Sequence, residues 1–200
     1  WYLKMDIRSF FASVSHEILL ERLARRFKDK DLLRLFEQIV HSYNPRAGIA
    51  LPIGSLTSQH FANFYLGWLD HHVKHGLHER GYVRYMDDFV VWANTRHHLV
   101  ATLDNLESFL TNDLQLAIKA TPVIQRTRQG MNYLGCQIFP SHVCLNRRNR
   151  NRVSAEISRL QSRLSDNDGS HIRDQARLTA LWNFSTCATT VDLRFDSFHG

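Results

Sequence analysis

Residues 82–92 read Tyr-Val-Arg-Tyr-Met-Asp-Asp-Phe-Val-Val-Trp. Two adjacent carboxylates interrupt a run that is otherwise largely apolar and aromatic. Strands disfavour aspartate, so the pair marks a turn between two strands. Tyr82–Tyr85 and Phe89–Ala93 therefore read as the arms of a β-hairpin, with Met86, Asp87 and Asp88 at its tip. Carboxylates this close repel each other, and packing them together costs stability unless a cation neutralises them. Taken alone, an Asp-Asp pair in a tight turn is most often simple turn chemistry.

The neighbouring sequence shifts that balance. Residues 1–7 form a short strand candidate that ends at a third carboxylate, Asp6. If this strand lies beside the hairpin, Asp6, Asp87 and Asp88 converge on one edge of a sheet. Hard divalent cations such as Mg²⁺ take oxygen ligands from carboxylates and substrate phosphates. Three aspartates with two such ions would make a phosphoryl-transfer site. One ion would activate an attacking hydroxyl, and the other would stabilise a leaving pyrophosphate.

Working outward, Ser15 is the expected N-cap of a helix with Ile18, Leu19, Leu23 and Phe27 inward. A second helix carries Leu32, Leu35, Phe36, Ile39 and Tyr43, and Pro45 and Gly48 break it. After the loop Gly48–Ser55, a long helix is predicted from near Thr57 to about Glu79. Phe61, Phe64, Tyr65, Trp68 and Leu69 form its buried side. Beyond the hairpin, residues 96–112 form an amphipathic helix through Leu99, Leu103, Leu106 and Leu110. Strands are expected at Leu116–Lys119, Tyr133–Phe139 and Val143–Leu145. This order sets an antiparallel sheet against helices, an α+β fold.

Of 200 residues, 44% are hydrophobic, which supplies a core and excludes wholesale disorder. Lys and Arg exceed Asp and Glu by 25 to 19, a net charge of +6 that favours polyanionic partners. Past residue 145, Arg147, Arg148, Arg150, Arg152, Arg159 and Arg163 are balanced by Glu156 alone. A helix through Val153, Ile157, Leu160 and Leu164 opens a second, mostly helical part, with a turn-rich break at Ser165–Ser170. The expected division is 1–145 and 146–200. Three scattered cysteines without a CxxC pair argue against a disulfide framework or zinc ribbon and suit a reducing compartment. No apolar run reaches membrane-spanning length. Trp1–Met5 reads as a strand already under way, so the chain is expected to be a piece of a longer protein. His71, His75 and His78 share a helical face, but no cysteine joins them, and they read as solvated. No Ser-His-Asp or Cys-His pairing and no GxxxxGK[ST] phosphate loop is present.

Four ordered stretches carry a family resemblance. Tyr85-Met86-Asp87-Asp88 resembles the YxDD box of reverse transcriptases. Lys4-Met5-Asp6-Ile7-Arg8-Ser9-Phe10-Phe11 resembles their first palm motif, and Pro52-Ile53-Gly54-Ser55-Leu56-Thr57-Ser58-Gln59 the second. Tyr133-Leu134-Gly135-Cys136 resembles the primer-grip turn. The resemblance covers nearly the whole chain. It implies a right-hand polymerase palm, a ferredoxin-like antiparallel sheet backed by helices, with the fingers largely missing N-terminally and the start of a helical thumb after residue 145.

The resemblance also implies roles. Asp6 and Asp87 would bind two Mg²⁺ or Mn²⁺ ions, with Asp88 and the Ile7 carbonyl as further ligands. Phe11 matches the steric-gate position, where a ring would collide with a ribose 2′-OH and select deoxynucleotides. Arg8 and Lys119 would lie near the triphosphate. Ile53, Gly54 and Gln59 would sit under the incoming nucleotide and templating base, Gly54 because its backbone comes close. Tyr133, Leu134 and Gly135 would hold the primer 3′ end. Arg147, Arg148, Arg150 and Arg152 would contact nucleic-acid phosphates. The implied partners are an RNA template, a DNA or RNA primer, dNTPs and an accessory protein, with no membrane.

The second motif departs from the Pro-Gln-Gly of retroviral and group II intron enzymes. Pro52-Ile53-Gly54 with Ser58-Gln59 resembles the error-prone enzymes of diversity-generating retroelements, which implies a bacterial or phage-encoded, cytoplasmic protein. An isoleucine cannot make the hydrogen bond that a glutamine makes near the sugar and base. Other bacterial reverse transcriptases share part of this pattern. A palm that only binds nucleic acid and a different palm enzyme, such as a nucleotidyl cyclase or untemplated polymerase, are the rival readings.

Overall fold

The computed structural model describes residues 1–43, 45–119, 121–165 and 179. The chain divides into two compact units, Trp1–Gln125 and Arg126–Gly200.

The first unit is built on four antiparallel strands: β1 (Tyr2–Asp6), β2 (Gly81–Tyr85), β3 (Asp88–Trp92) and β4 (Val123–Gln125). Their order in the sheet is β2-β3-β1-β4, so β1 lies beside the hairpin, the condition for the three aspartates to converge. The helices are α1 (Phe10–Ser13), α2 (His16–Arg26), α3 (Lys30–His41), α4 (Leu56–His71) and α5 (Arg96–Asn112). Side chains alternate along a strand. Leu3, Met5 and Ile7 on one parity join Phe89 and Val91 in the core with Leu19 and Leu23 of α2, Tyr65, Leu66 and Leu69 of α4, and Leu99, Leu106 and Leu110 of α5. Tyr2, Lys4 and Asp6 occupy the other parity and the other face of the sheet.

Local chemistry fixes the helix starts. The Ser15 hydroxyl accepts the Ile18 amide at 3.4 Å, and Asp29 accepts from Asp31 and Leu32, both at 2.9 Å. Leu35 and Tyr43, placed by spacing on the apolar stripe of the second helix, are exposed, while Val40 carries the buried contact.

The long helix does not run unbroken to Glu79. It ends at His71 and passes into a π-helical turn, His72–Gly76, in which the Leu77 amide reaches back to the His72 carbonyl at 2.8 Å. The wider turn keeps Val73 fully buried and lays the His72 ring flat on Phe109 of α5, 4.1 Å away and 2° from parallel.

The strand expected at Leu116–Lys119 is a single antiparallel bridge, Ile7 to Ile118. Regular pairing with β1 comes at Val123–Gln125, directly after Pro122, whose missing amide cannot extend a ladder.

In the second unit, the stretch expected as one strand is a hairpin, β5 (Met131–Tyr133) and β6 (Cys136–Ile138), followed by β7 (Val143–Leu145) and α6 (Arg147–Ser165). Leu134 and Gly135 form its two-residue turn with φ of 49° and 83°, the double positive φ that a tight hairpin turn favours. Val153 and Ile157 of α6 pack on Leu145 and Cys136. The Arg163 and Leu164 side chains, and the stretch 166–178, lie outside the described residues. No described helix is long and apolar enough to cross a membrane.

Candidate active site

The β1–β3 ladder runs from Tyr2 opposite Trp92 to Asp6 opposite Asp88. Directly opposed residues have Cβ atoms about 4.5–5.5 Å apart. Register therefore places two carboxylates face to face, and like charges so placed destabilise a sheet. Asp87 precedes Asp88 in the two-residue turn joining β2 to β3. Three carboxylates are thus collected where two strands end.

The turn itself is strained. Met86 has φ of 55°, unusual for a residue with a side chain. Its neighbour is tied to β1: the Ile7 amide donates to the Asp87 carbonyl at 3.2 Å. Such strain persists only where the surroundings over-determine it, and it clusters at functional sites.

Two ammonium groups serve the carboxylates. Lys4, diagonal to Asp88 on the same face, meets Asp88 at 3.0 Å, and Lys119 meets Asp6 at 3.0 Å. The Asp88 carboxyl is raised above its usual range, chiefly by burial, with Asp6 and Asp87 adding and Lys4 opposing. The hydrogen bond from Lys119 to Asp6, and the charge behind it, raise the lysine's own pKa. Asp6 Oδ1 is buried and accepts no hydrogen bond. Among the described residues, no three His, Cys, Asp or Glu side chains are already drawn into metal-binding geometry. The donor set nonetheless fits a hard divalent cation: all oxygen, several negative charges, one buried oxygen left over.

The other predicted residues fall as follows. Ile7 is buried and continues β1 past Asp6. Arg8 is exposed, with its amide on the Ala117 carbonyl at 2.7 Å. Phe11 is half-buried in α1, its ring 5.6 Å from that of Phe10. Ile53 is 85% exposed, the opposite of a core residue. Gly54 has φ of 92°, with open space where a Cβ would project. Gln59 lies exposed in the first turns of α4, its amide on the Ser55 carbonyl at 3.2 Å.

Tyr133, Leu134 and Gly135 belong to the second unit. There Leu134 is exposed and Asn149 donates to the Gly135 carbonyl at 3.0 Å. Arg147, Arg148, Arg150 and Arg152 are all exposed on the first turns of α6. His71 and His75 are exposed with their rings 4.7 Å apart, and His78, also exposed, lies past the end of the π turn with φ of 55°.

The sequence reading missed four residues. Lys4 was legible by parity, two positions from Asp6 on the same strand. Tyr85 stands opposite Asp88 and is 60% exposed, an aromatic surface beside the carboxylates. Arg84 and Asp70 form an ion pair behind the hairpin, which charge alone does not distinguish from a solvated contact. A cleft of about 490 Å³ opens at the other end of the hairpin, among Glu79, Gly81, Trp92, Thr95 and His98, and Asp6, Asp87 and Asp88 lie outside it.

The fold has relatives. The chain aligns over 99% of its length with 40% of a telomerase from Candida albicans solved in complex with a fragment of telomeric RNA, at 13% identity and a TM-score of 0.58. It aligns over 92% of its length with 21% of a foamy viral protease-reverse transcriptase solved with an RNA/DNA hybrid, at 16% identity and a TM-score of 0.53. An apo telomerase from Candida tropicalis matches over 69% of the chain and 33% of its own length, at 13% identity and a TM-score of 0.51. The chain thus spans less than half of each of these proteins. No curated protein matches it. The mixed helix and antiparallel sheet fold is that of the reverse transcriptase palm. The model of the family described as reverse transcriptase, or RNA-dependent DNA polymerase, matches residues 1–138, and the chain belongs to that family.

Proposed function

We propose that this chain is the catalytic palm of an RNA-directed DNA polymerase that extends a primer 3′-OH with dNTPs on an RNA template. The observation that carries the proposal is the pairing of Asp6 with Asp88 across β1 and β3, with Asp87 beside them in a strained turn. Asp6 and Asp87 would hold two Mg²⁺ ions, with Asp88 and the Ile7 carbonyl assisting. When bound, such ions lower the barrier to attack by a hydroxyl on a phosphorus and stabilise the leaving pyrophosphate.

The chain's own groups supply the rest. Register sets the Asp6 and Asp88 carboxylates against each other, so negative charge is in place before any ligand arrives. Lys119 and Lys4 offset part of that charge in the free protein. Phe11 would exclude a ribose 2′-OH. Exposed Ile53, Gly54 and Gln59 would form the floor under the nascent base pair, and Leu134-Gly135 would grip the primer end. Arg147, Arg148, Arg150 and Arg152 would hold the duplex backbone through phosphate contacts that carry no sequence information.

The finer reading is an error-prone enzyme of the diversity-generating type, on the pattern Ile53 to Gln59, in a bacterial or phage cytoplasm. Primer extension on a defined RNA tests the function. Asp87→Ala is expected to abolish template-dependent product while leaving the fold intact by circular dichroism. Equal product from both proteins would sink the polymerase reading, and product independent of template would favour an untemplated palm enzyme.

A further inference from the structure

Arg84 lies on β2 with the same parity as Tyr82, so its side chain leaves the sheet on the helix side, away from Asp88. It is 10% exposed. Asp70 of α4 takes it with both oxygens, Nε to Oδ1 at 2.7 Å and one terminal nitrogen to Oδ2. The Tyr82 hydroxyl donates to the same Oδ1 at 2.7 Å. The remaining terminal nitrogen donates to Asn63 at 3.2 Å and to the Met86 carbonyl at 3.0 Å.

A guanidinium is a rigid planar fork. Once Asp70 fixes two of its nitrogens, the direction of the third is set as well. That third nitrogen meets the carbonyl of the residue with positive φ, immediately before Asp87. The Asp87 carbonyl in turn receives the Ile7 amide. Two successive carbonyls of the turn are therefore pinned, one from α4 through Arg84 and one from β1.

We propose that Arg84 is a positioning residue that ties α4 to the Met86–Asp87 turn and so fixes where the Asp87 carboxylate stands relative to Asp6. The inference rests on reading Asp6 and Asp87 as a cation-binding pair. A lysine at this position keeps a charge for Asp70 but, as a point charge, cannot hold Asp70 with two prongs and aim a third at Met86. Groups that orient metal ligands change affinity by about 10–100-fold when removed.

The test uses Arg84→Lys with two readouts besides catalysis: Mn²⁺ affinity, from the electron paramagnetic resonance of free Mn²⁺, and amide hydrogen exchange at Ile7 against the rest of the β1–β3 ladder. Expected are Mn²⁺ binding weakened about 10-fold or more and faster exchange at Ile7 alone. Mn²⁺ binding equal to wild type overturns the inference. So does loss of protection along the whole ladder, which marks a pair that only stabilises the fold. If Arg84→Lys does not fold, Asp70→Asn carries the same two readouts, since it weakens the anchor and keeps an oxygen acceptor. Wild-type protein that binds Mn²⁺ in an Arg84-dependent way but extends no primer sinks the polymerase reading and supports this inference. Primer extension by the wild type together with Mn²⁺ binding unaffected by Arg84→Lys sinks the inference alone.

Discussion

Lys119 meets Asp6 twice, ammonium to carboxylate at 3.0 Å and backbone amide to backbone carbonyl at 2.8 Å. The backbone bond survives any change of side chain, so the ammonium can be removed without moving the strand end. It is also the group best placed to compete with a divalent cation for Asp6. Lys119→Met is expected to tighten Mn²⁺ binding severalfold and leave the thermal midpoint unchanged, because exposed ion pairs contribute little to stability. Weaker binding in the variant would show that the lysine organises the site instead of competing for it.

Gly135 is a position where two constraints coincide. Its φ is 83°, and a Cβ there would lie 2.3 Å from the Asn149 side-chain nitrogen. Gly135→Ala therefore strains the turn and breaks the bond that Asn149 makes to the Gly135 carbonyl. The expected loss is about 1–3 kcal/mol of stability, read as an earlier denaturation midpoint for the second unit. An unchanged midpoint would show that the β5–β6 turn relaxes freely.

His72 gives the protein a pH dependence with a definite sign. Its ring is stacked on Phe109, its Nε2 is buried without a hydrogen bond, and burial holds its pKa below the usual value. The folded state prefers the neutral ring. This contribution is complete above the ordinary histidine pKa of about 6.5 and is lost as pH falls through that value toward the folded pKa. His72→Phe keeps the stack and takes up no proton. Denaturant midpoints measured between about pH 5 and 8 should flatten in the variant, and an unchanged slope would assign the dependence to other groups.

Ile53 is 85% exposed, so its side chain contributes little to the core. Ile53→Gln should leave the melting curve where it is. On the diversity-generating reading, it should lower misincorporation opposite template adenine, since it restores a hydrogen-bonding group beside the incoming nucleotide. Sequencing the products of a defined template decides this, and an unchanged adenine error rate removes Ile53 from the account.

The convergence of Asp6, Asp87 and Asp88 was legible because aspartate is out of place in such apolar surroundings, and two strands ending in it invite pairing. The start of α2 was legible from its Ser15 cap. The Arg84–Asp70 pair was not, because an arginine in a strand reads as solvated until the parity of Tyr82 and Phe89 shows which face it joins. Val123–Gln125 was missed because three residues after a proline carry no alternation to detect. The π turn was missed because one extra residue per turn barely disturbs the spacing of Leu69 and Val73. Phe11, Gln59 and the arginines of α6 are placed by the fold, but their roles depend on a ligand, and side-chain geometry alone does not assign them.

β1 divides its work by parity. Leu3, Met5 and Ile7 answer to the helices, while Lys4 and Asp6 answer to the carboxylate cluster. Fold and chemistry thus occupy one short strand without sharing a side chain. Substitutions that repack the interior can accumulate at odd positions while the even positions stay untouched, and the reverse holds too. A slip of one residue against β3 would exchange the two sets at a stroke, setting methionine against Asp88 and burying Lys4 among leucines. The two sets therefore answer to separate constraints, apolar packing at Leu3, Met5 and Ile7 and charge at Lys4 and Asp6, and an insertion or deletion breaks both at once, a pattern that saturation mutagenesis combined with single-residue insertions across residues 2–7 would expose directly.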